Sequence, residues 1–304
     1  MRRPGRYPAP SGPTLKPLRI WWHTARPRTL PAALGPVLLG QFLVEPVHFT
    51  WLTAALCIVC ALALQIAVNL ANDLFDGLKG VDQPDRTGPT RALQAGLLTA
   101  AQLRTGLALT LGVAIVAGLW LVIFGHWLLW LLGALALLAV LGYSGGRRPY
   151  ANLALGEMAV WFFFGPVAVL GSLLAHRSPV HPEAVFAAML VGLPVAAILV
   201  VNNVRDLRSD ARAGKNTLAV RLGDRYTRGF YVVLILAPAV LAAPAGLPVW
   251  SWLGWLALLC AAVALSREGM RREGPDLNPL LGHTALFSLL FAFWLALRHS
   301  AVPS

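Results

Sequence analysis

Nine times between residues 29 and 297 the chain returns to an apolar run close to the length needed to cross hydrocarbon. The runs lie near 29–45, 51–71, 103–124, 126–143, 155–175, 184–202, 229–245, 248–265 and 280–297. A helix rises 1.5 Å per residue, so about 20 apolar residues cross the bilayer core. The first run is the least regular, because it is short and carries Pro31 and Pro36. Inside lipid every backbone N–H and C=O must be satisfied by the chain itself, which leaves helices or a closed barrel. The alternation that barrel strands need is missing. The expected fold is all-α: a polytopic membrane protein with about nine transmembrane helices. Only 12% of the 304 residues are charged, and mean hydropathy is +0.66. That leaves too little polar surface for a soluble domain of this size.

Net charge is +12, which raises the question of a nucleic-acid partner. The distribution answers it. With alternate loops assigned to alternate sides, all of the 25 Lys and Arg except Arg177 and Arg298 fall on the side of the N-terminus. The positive-inside rule then places the N-terminus and the basic loops in the cytoplasm, and an odd number of spans places the C-terminus outside. The expected location is the inner or plasma membrane, crossed many times. Basic loops there suit anionic headgroups and an anionic substrate, and no nucleic-acid motif is present. Residues 1–28 are basic and Pro-rich, without an apolar core and cleavage site, so they are expected to form a cytoplasmic arm and not a signal peptide. Residues 29–304 are expected to form a single transmembrane domain. Cys57 and Cys60 mimic a CxxC pair, but both lie in an apolar helix and are expected to be packing residues; Cys260 stands alone.

Against this apolar background two polar stretches stand out. "NLANDLFDGLKGVD" (69–82) directly follows the second run. On a helix Asn69, Asn72, Asp73 and Asp76 are spaced i, i+3, i+4, i+7 and share a face. Lys79 follows, "GLKG" is expected to end the helix, and Asp82, Arg86, Arg91 and Gln94 come after it. "VNNVRDLRSDARAGK" (201–215) closes the sixth run. Here Asn202, Asp206 and Asp210 form a stripe at i, i+4, i+8, with Asn203, Arg205, Arg208, Arg212 and Lys215 around it. Acidic residues at one helix end are as readily solvated interfacial groups. Two stripes of one design on one side of the membrane instead point to a shared cavity. Clustered carboxylates without His or Cys are hard oxygen ligands. They suit Mg²⁺, which takes one or two carboxylates and completes its shell with water and phosphate oxygens. Neighbouring Lys and Arg suit the same phosphates.

Two further elements sit on that side. "YSGGRRPYANLALGE" (143–157) joins runs four and five, with Tyr143 at the depth of the acidic stripes. Interfacial anchoring is the ordinary role for such a Tyr. Glu157 opens an apolar run and needs a partner, for which Arg147 and Arg148 are the nearest candidates. "ARPRTLPAALGP" (25–36) brings Arg26 and Arg28 to the first run, where snorkelling to headgroups competes with a place in the cavity.

Together these stretches resemble the UbiA superfamily of intramembrane aromatic prenyltransferases. Its N-D-x-x-D motif with a later Asp is matched by Asn72, Asp73, Asp76 and Asp82, and its D-x-x-x-D motif by Asp206 and Asp210. Within it, the chain is most similar to the 1,4-dihydroxy-2-naphthoate polyprenyltransferases of menaquinone synthesis. The similarity runs from residue 25 to 285, through "KGVDQPDRTGPTRALQAG" and "LNPLLGHTA"; His283 stands where a residue such as Arg is expected.

The resemblance implies a helix bundle around a central cavity open to lipid. It implies two Mg²⁺ ions held by Asn72, Asp73, Asp76, Asp82, Asp206 and Asp210. Catalytic roles fall to Asp73, Asp76, Tyr143, Asp206 and Asp210. Tyr143 is expected to stabilise an allylic cation or bind diphosphate. Substrate contacts are expected from Arg26, Arg28, Asn69, Lys79, Arg86, Arg91, Gln94, Asn202, Asn203, Arg205 and Lys215. The implied substrates are a polyprenyl diphosphate and 1,4-dihydroxy-2-naphthoate, whose carboxylate Arg26 and Arg28 are best placed to hold. Two other readings remain at this stage. One is a prenyltransferase for another ring, such as 4-hydroxybenzoate or homogentisate. The other is a transporter of anionic or lipid-linked solutes, whose ionisable residues and internal repeats would look similar.

Overall fold

A computed structural model describes residues 17–80, 88, 91–244 and 248–300. Asp82 and Arg86 lie outside the described residues. After a short amphipathic helix, α1 (Pro17–Ala25), come α2 (Leu30–Phe42), α3 (Trp51–Lys79), α4 (Ala100–Phe124) and α5 (Leu128–Gly142). Then follow α6 (Gly156–Ala175), α7 (Pro182–Arg212), α8 (Leu218–Leu241), α9 (Val249–Arg271) and α10 (Leu277–Ser300). No strand occurs among the described residues. Helices α2 to α10 match the nine expected runs one for one. Six reach the length and hydropathy of a crossing by themselves. The exceptions are α2, with 13 residues, α5, with 15, and α8, which opens on Arg221, Asp224, Arg225 and Arg228.

The helices start and stop where local chemistry directs. Thr50 caps α3 by accepting from the Thr53 amide, and Thr99 and Gln102 form a reciprocal capping box on α4. Pro182 stands in the first turn of α7. Two ends lie beyond the hydropathy boundary. The second run was expected to stop at 71 and the sixth at 202, yet α3 continues to Lys79 and α7 to Arg212. Apolarity ends when the chain leaves hydrocarbon, but the backbone stays helical until a residue breaks it. Gly80 (φ 61°) does so after α3 and Gly214 (φ 71°) after α7, both in the left-handed region open to glycine. The acidic stripes therefore ride on rigid helix and not on loops.

Residues 17–25 of the presumed arm are helical. Thr24 is buried, and Trp21 lies over Gly106 of α4, packed against the core around Leu70 and Leu103. This half of the bundle joins α1, α3, α4, the end of α5 and the segment around Ala92 and Leu98. The larger half unites α2 with α6 to α10 around Leu39, Val191, Tyr231, Ile235 and Phe291. Cys57 and Cys60 are free thiols within α3, as expected of packing residues.

Helix α6 carries a π-turn at Phe163–Val167 containing Pro166, whose ring nitrogen cannot donate to the ladder. Next to it α6 and α7 touch backbone to backbone. A Cβ on Gly165 would meet the Ala188 carbonyl at 2.5 Å, and one on Gly192 the Trp161 carbonyl at 2.6 Å. Gly192→Val is therefore expected to destabilise the fold by about 1–3 kcal/mol through overpacking. Denaturant unfolding in detergent reads this, and an unchanged midpoint would show that the two helices part freely.

Candidate functional site

The ends of α3, α5 and α7 meet on one side of the bundle. Lys215, just beyond α7, joins the two stripes: its Nζ lies 3.4 Å from Asp76 Oδ2 on α3 and 3.6 Å from Asp210 Oδ1 on α7. Arg91 donates from Nη2 to the same Asp76 oxygen at 2.8 Å. Arg91 and Asp76 are buried, and Lys215 is mostly covered. A carboxylate at a helix C-terminus meets the negative end of the macrodipole, so such acids need nearby cations. Here Arg91 and Lys215 supply them.

Further along α7, Asp206 is held in bidentate fashion by its own neighbour. Arg205 donates from Nε to Oδ1 at 2.9 Å and from Nη2 to Oδ2 at 2.7 Å. The same guanidinium donates to Asn278 Oδ1 of α10 at 2.9 Å and to Asn202 Oδ1 at 2.5 Å. Arg205 and Asp206 are 5% and 3% exposed. Arg205, expected to bind substrate, is thus engaged with the protein and orients Asp206.

The stripe on α3 divides its labour in a way its spacing does not reveal. Asp73, expected to be a metal ligand and catalytic, turns both oxygens to backbone amides, accepting from Ala92 at 2.8 Å and Leu93 at 3.0 Å. It pins the segment that carries Arg91 and Gln94. Asn69, expected to contact substrate, donates to the Ala25 carbonyl at 2.8 Å and to Thr29 Oγ1 at 3.2 Å. Gln65, one turn earlier, donates to the same Thr29 hydroxyl at 3.2 Å. The pair fixes the turn between α1 and α2. Sequence reasoning passed over Gln65, although it extends the polar face by i−4 from Asn69. Asn72 accepts from Ser144 Oγ at 2.7 Å, and Lys79 donates to the Ser144 carbonyl at 2.6 Å. These two bonds anchor the turn after α5.

That anchored turn places Tyr143 as its first residue. Its side chain lies beside Gly156 at the start of α6, close enough to Glu157, Asp76 and Asp210 to feel their charge. Its ring packs edge-on against Tyr150, with centroids 5.3 Å apart. Glu157 does not pair with Arg147 or Arg148, both of which are exposed. It accepts from Asn203 Nδ2 of α7 at 2.7 Å, and both residues are buried. Asn203, expected to contact substrate, thus supports Glu157 in this structure. Arg26 sits in the α1–α2 turn at φ 54°, and Arg28 is exposed beside it.

No three acids, histidines or cysteines among the described residues gather closely enough to hold a metal alone. Asp76 and Asp210, however, already share one cation through Lys215. Two carboxylates facing one position fit a Mg²⁺ ion whose other ligands come with a phosphate.

Residues 33–279 match the model of the UbiA prenyltransferase family. The chain is 37% identical to the 1,4-dihydroxy-2-naphthoate octaprenyltransferase of Escherichia coli K12, over 90% of this chain and 92% of that one. It is 38% identical to the enzyme of the same name from Mycobacterium tuberculosis, over 91% and 95%. Among solved structures, a UbiA homologue from Archaeoglobus fulgidus bound to GPP and Mg²⁺ superposes with a TM-score of 0.63 at 16% identity, covering 92% of this chain and 99% of that one.

Proposed function

We infer the reaction from one premise: this chain belongs to the UbiA prenyltransferase family. It is a multi-pass membrane prenyltransferase. The reaction is transfer of a polyprenyl group from its diphosphate to 1,4-dihydroxy-2-naphthoate, with loss of CO₂ and diphosphate, giving the demethylmenaquinol of menaquinone synthesis. The observation that carries the placement of this chemistry is Lys215 bridging Asp76 and Asp210. The two motif stripes, 134 residues apart in sequence, close on one point. The charge asymmetry of the loops supports an inner-membrane location with the N-terminus and the site facing the cytoplasm.

On this proposal Asp76 and Asp210 would hold Mg²⁺ together with the incoming diphosphate, while Asp206, gripped by Arg205, and Asn72, accepting from Ser144, lie on the same helix ends. When bound, Mg²⁺ neutralises charge growing on the leaving diphosphate. Lys215 and Arg91 turn from Asp76 to phosphate oxygens as the substrate enters, because a diphosphate offers them more charge than one carboxylate. The C–O bond then breaks to give an allylic cation, which Tyr143 faces with an electron-rich ring and hydroxyl. The apolar helices exclude water that would otherwise quench the cation. The ring carbon bearing the carboxylate attacks it, and that carboxylate departs as CO₂, leaving its bonding pair to restore aromaticity.

Two outcomes test this. Purified protein given Mg²⁺, a prenyl diphosphate and dihydroxynaphthoate is expected to yield a product whose mass shows prenyl gained and CO₂ lost. Turnover only with 4-hydroxybenzoate or homogentisate would reassign the acceptor. Lys215→Ala is expected to raise the KM for the prenyl diphosphate roughly 10- to 150-fold, the equivalent of about 1.5–3 kcal/mol for a charge-assisted hydrogen bond. Arg147→Ala, at an exposed turn, should leave it within about twofold. Equal effects in both variants would mean that general surface charge, and not Lys215, attracts the substrate.

A further inference from the structure

The face opposite the candidate site carries a cleft that the reaction does not use. It lies where α4 ends, α5 begins and α6 ends, and has a volume of about 530 Å³. Its walls include Val122, Ile123, Trp127 and Trp130, and its polar groups include His126 and Arg177. Trp127 and Trp130 are 68% and 53% exposed, as befits aromatic residues at headgroup depth beside the ends of spanning helices.

The cleft is rigidly built. The His126 amide donates to the Leu174 carbonyl at 2.9 Å, tying the α4–α5 turn to α6. Gly125 is forced by close approach: a Cβ there would meet Leu129 Cδ1 at 2.6 Å and the Ala175 backbone at 3.1 Å. Arg177 adopts φ 54°, a conformation that disfavours a side chain, and donates from Nε to the Gly125 carbonyl at 3.3 Å. That bond holds the guanidinium at the cleft. Among the described residues its two Nη groups make no hydrogen bond, so they are open to a ligand. His126 Nδ1 accepts from the Leu128 amide at 3.3 Å. In the neutral ring the proton is then on Nε2, leaving a second donor at the cleft.

Charge sharpens the reading. By loop alternation Arg177 and Arg298 are the two Lys or Arg residues on this face. Arg298 is engaged inward, donating to the Ala242 carbonyl at 2.9 Å and lying over Trp294. No acidic side chain lines the cleft among the described residues.

We propose that this cleft binds an anionic phospholipid, with the phosphodiester on Arg177 and His126 and the upper acyl chain along Val122, Ile123 and the two tryptophans. The apolar walls distinguish a lipid from free phosphate. The lack of any carboxylate to receive an ammonium favours phosphatidylglycerol over phosphatidylethanolamine.

The test is photo-crosslinking in proteoliposomes, because the basic loops on the other face also attract anionic lipid and the readout must be local. Phosphatidylglycerol with a diazirine near the head of its acyl chain is expected to label the peptide containing residues 122–130. The matched phosphatidylethanolamine probe should label it roughly tenfold less. Arg177→Gln should reduce labelling by phosphatidylglycerol by a similar roughly tenfold factor, the loss of one charge-assisted bond. Arg298→Gln should leave it unchanged, as should excess inorganic phosphate. Equal labelling by the two lipids, undiminished labelling of Arg177→Gln, or displacement by phosphate alone would overturn the assignment. Should Arg177→Gln fail to accumulate, the wild-type preference between the two lipids at this peptide decides the case.

Discussion

Asp76→Asn is expected to lower turnover roughly 10²- to 10³-fold, while the protein still accumulates in membranes with its helices intact. The magnitude is that of removing one preorganised electrostatic contact from a reacting centre. The structural reason is the concentration of interactions on one oxygen, where Arg91 lies at 2.8 Å and Lys215 at 3.4 Å. Asn keeps the size of Asp, so the packing of α3 survives. What is lost is the charge that receives a divalent ion and that holds two cations ready for the diphosphate. Product formation per unit of folded protein checks the prediction. A rate within tenfold of wild type would remove Asp76 from the chemistry.

The largest effect on stability is expected from Arg205→Met. The Arg205 side chain is 0% and that of Asp206 3% exposed, and the guanidinium satisfies Asp206, Asn202 and Asn278 together. Deleting one member of a buried ion pair leaves a charge without compensation, which costs about 3–5 kcal/mol. The double variant Arg205→Met with Asp206→Leu should recover most of that loss, since an apolar pair of similar volume has no charge to desolvate. It should remain inactive, because Asp206 belongs to the proposed site. Denaturant midpoints in detergent and product formation, measured on both variants, separate the two roles. Full stability of the single variant would show that water reaches Asp206.

The bundle was legible because hydrocarbon imposes a length and a composition, and nine runs carried both. The stripes were legible because helical spacing placed Asp73 with Asp76 and Asp206 with Asp210 on common faces. What each acid does with its face depends on partners far away in sequence. Asp73 and Asp76 are three residues apart, yet one holds the amides of Ala92 and Leu93 and the other faces Arg91 and Lys215. Spacing along α3 cannot separate these roles, because Arg91, Ala92 and Leu93 decide them by which acid each one meets. The partner of Glu157 was missed for the same reason: Arg147 and Arg148 are close in sequence, but the turn sends them outward and brings Asn203 from α7. Asn69 and Gln65 fasten the α1–α2 turn, which ends the short helix within the basic N-terminal arm, and neither contact is visible from spacing alone.

The central claim is that the two stripes, one on α3 and one on α7, build a single Mg²⁺-dependent diphosphate site. Equilibrium binding of an unreactive prenyl thiodiphosphate, with and without Mg²⁺, tests it most directly in wild type, Asp76→Asn and Asp210→Asn. Mg²⁺ is expected to tighten binding to the wild type by at least roughly tenfold, and to do little for either variant. A Mg²⁺ effect of wild-type size persisting in either one would contradict a site shared between the two helices.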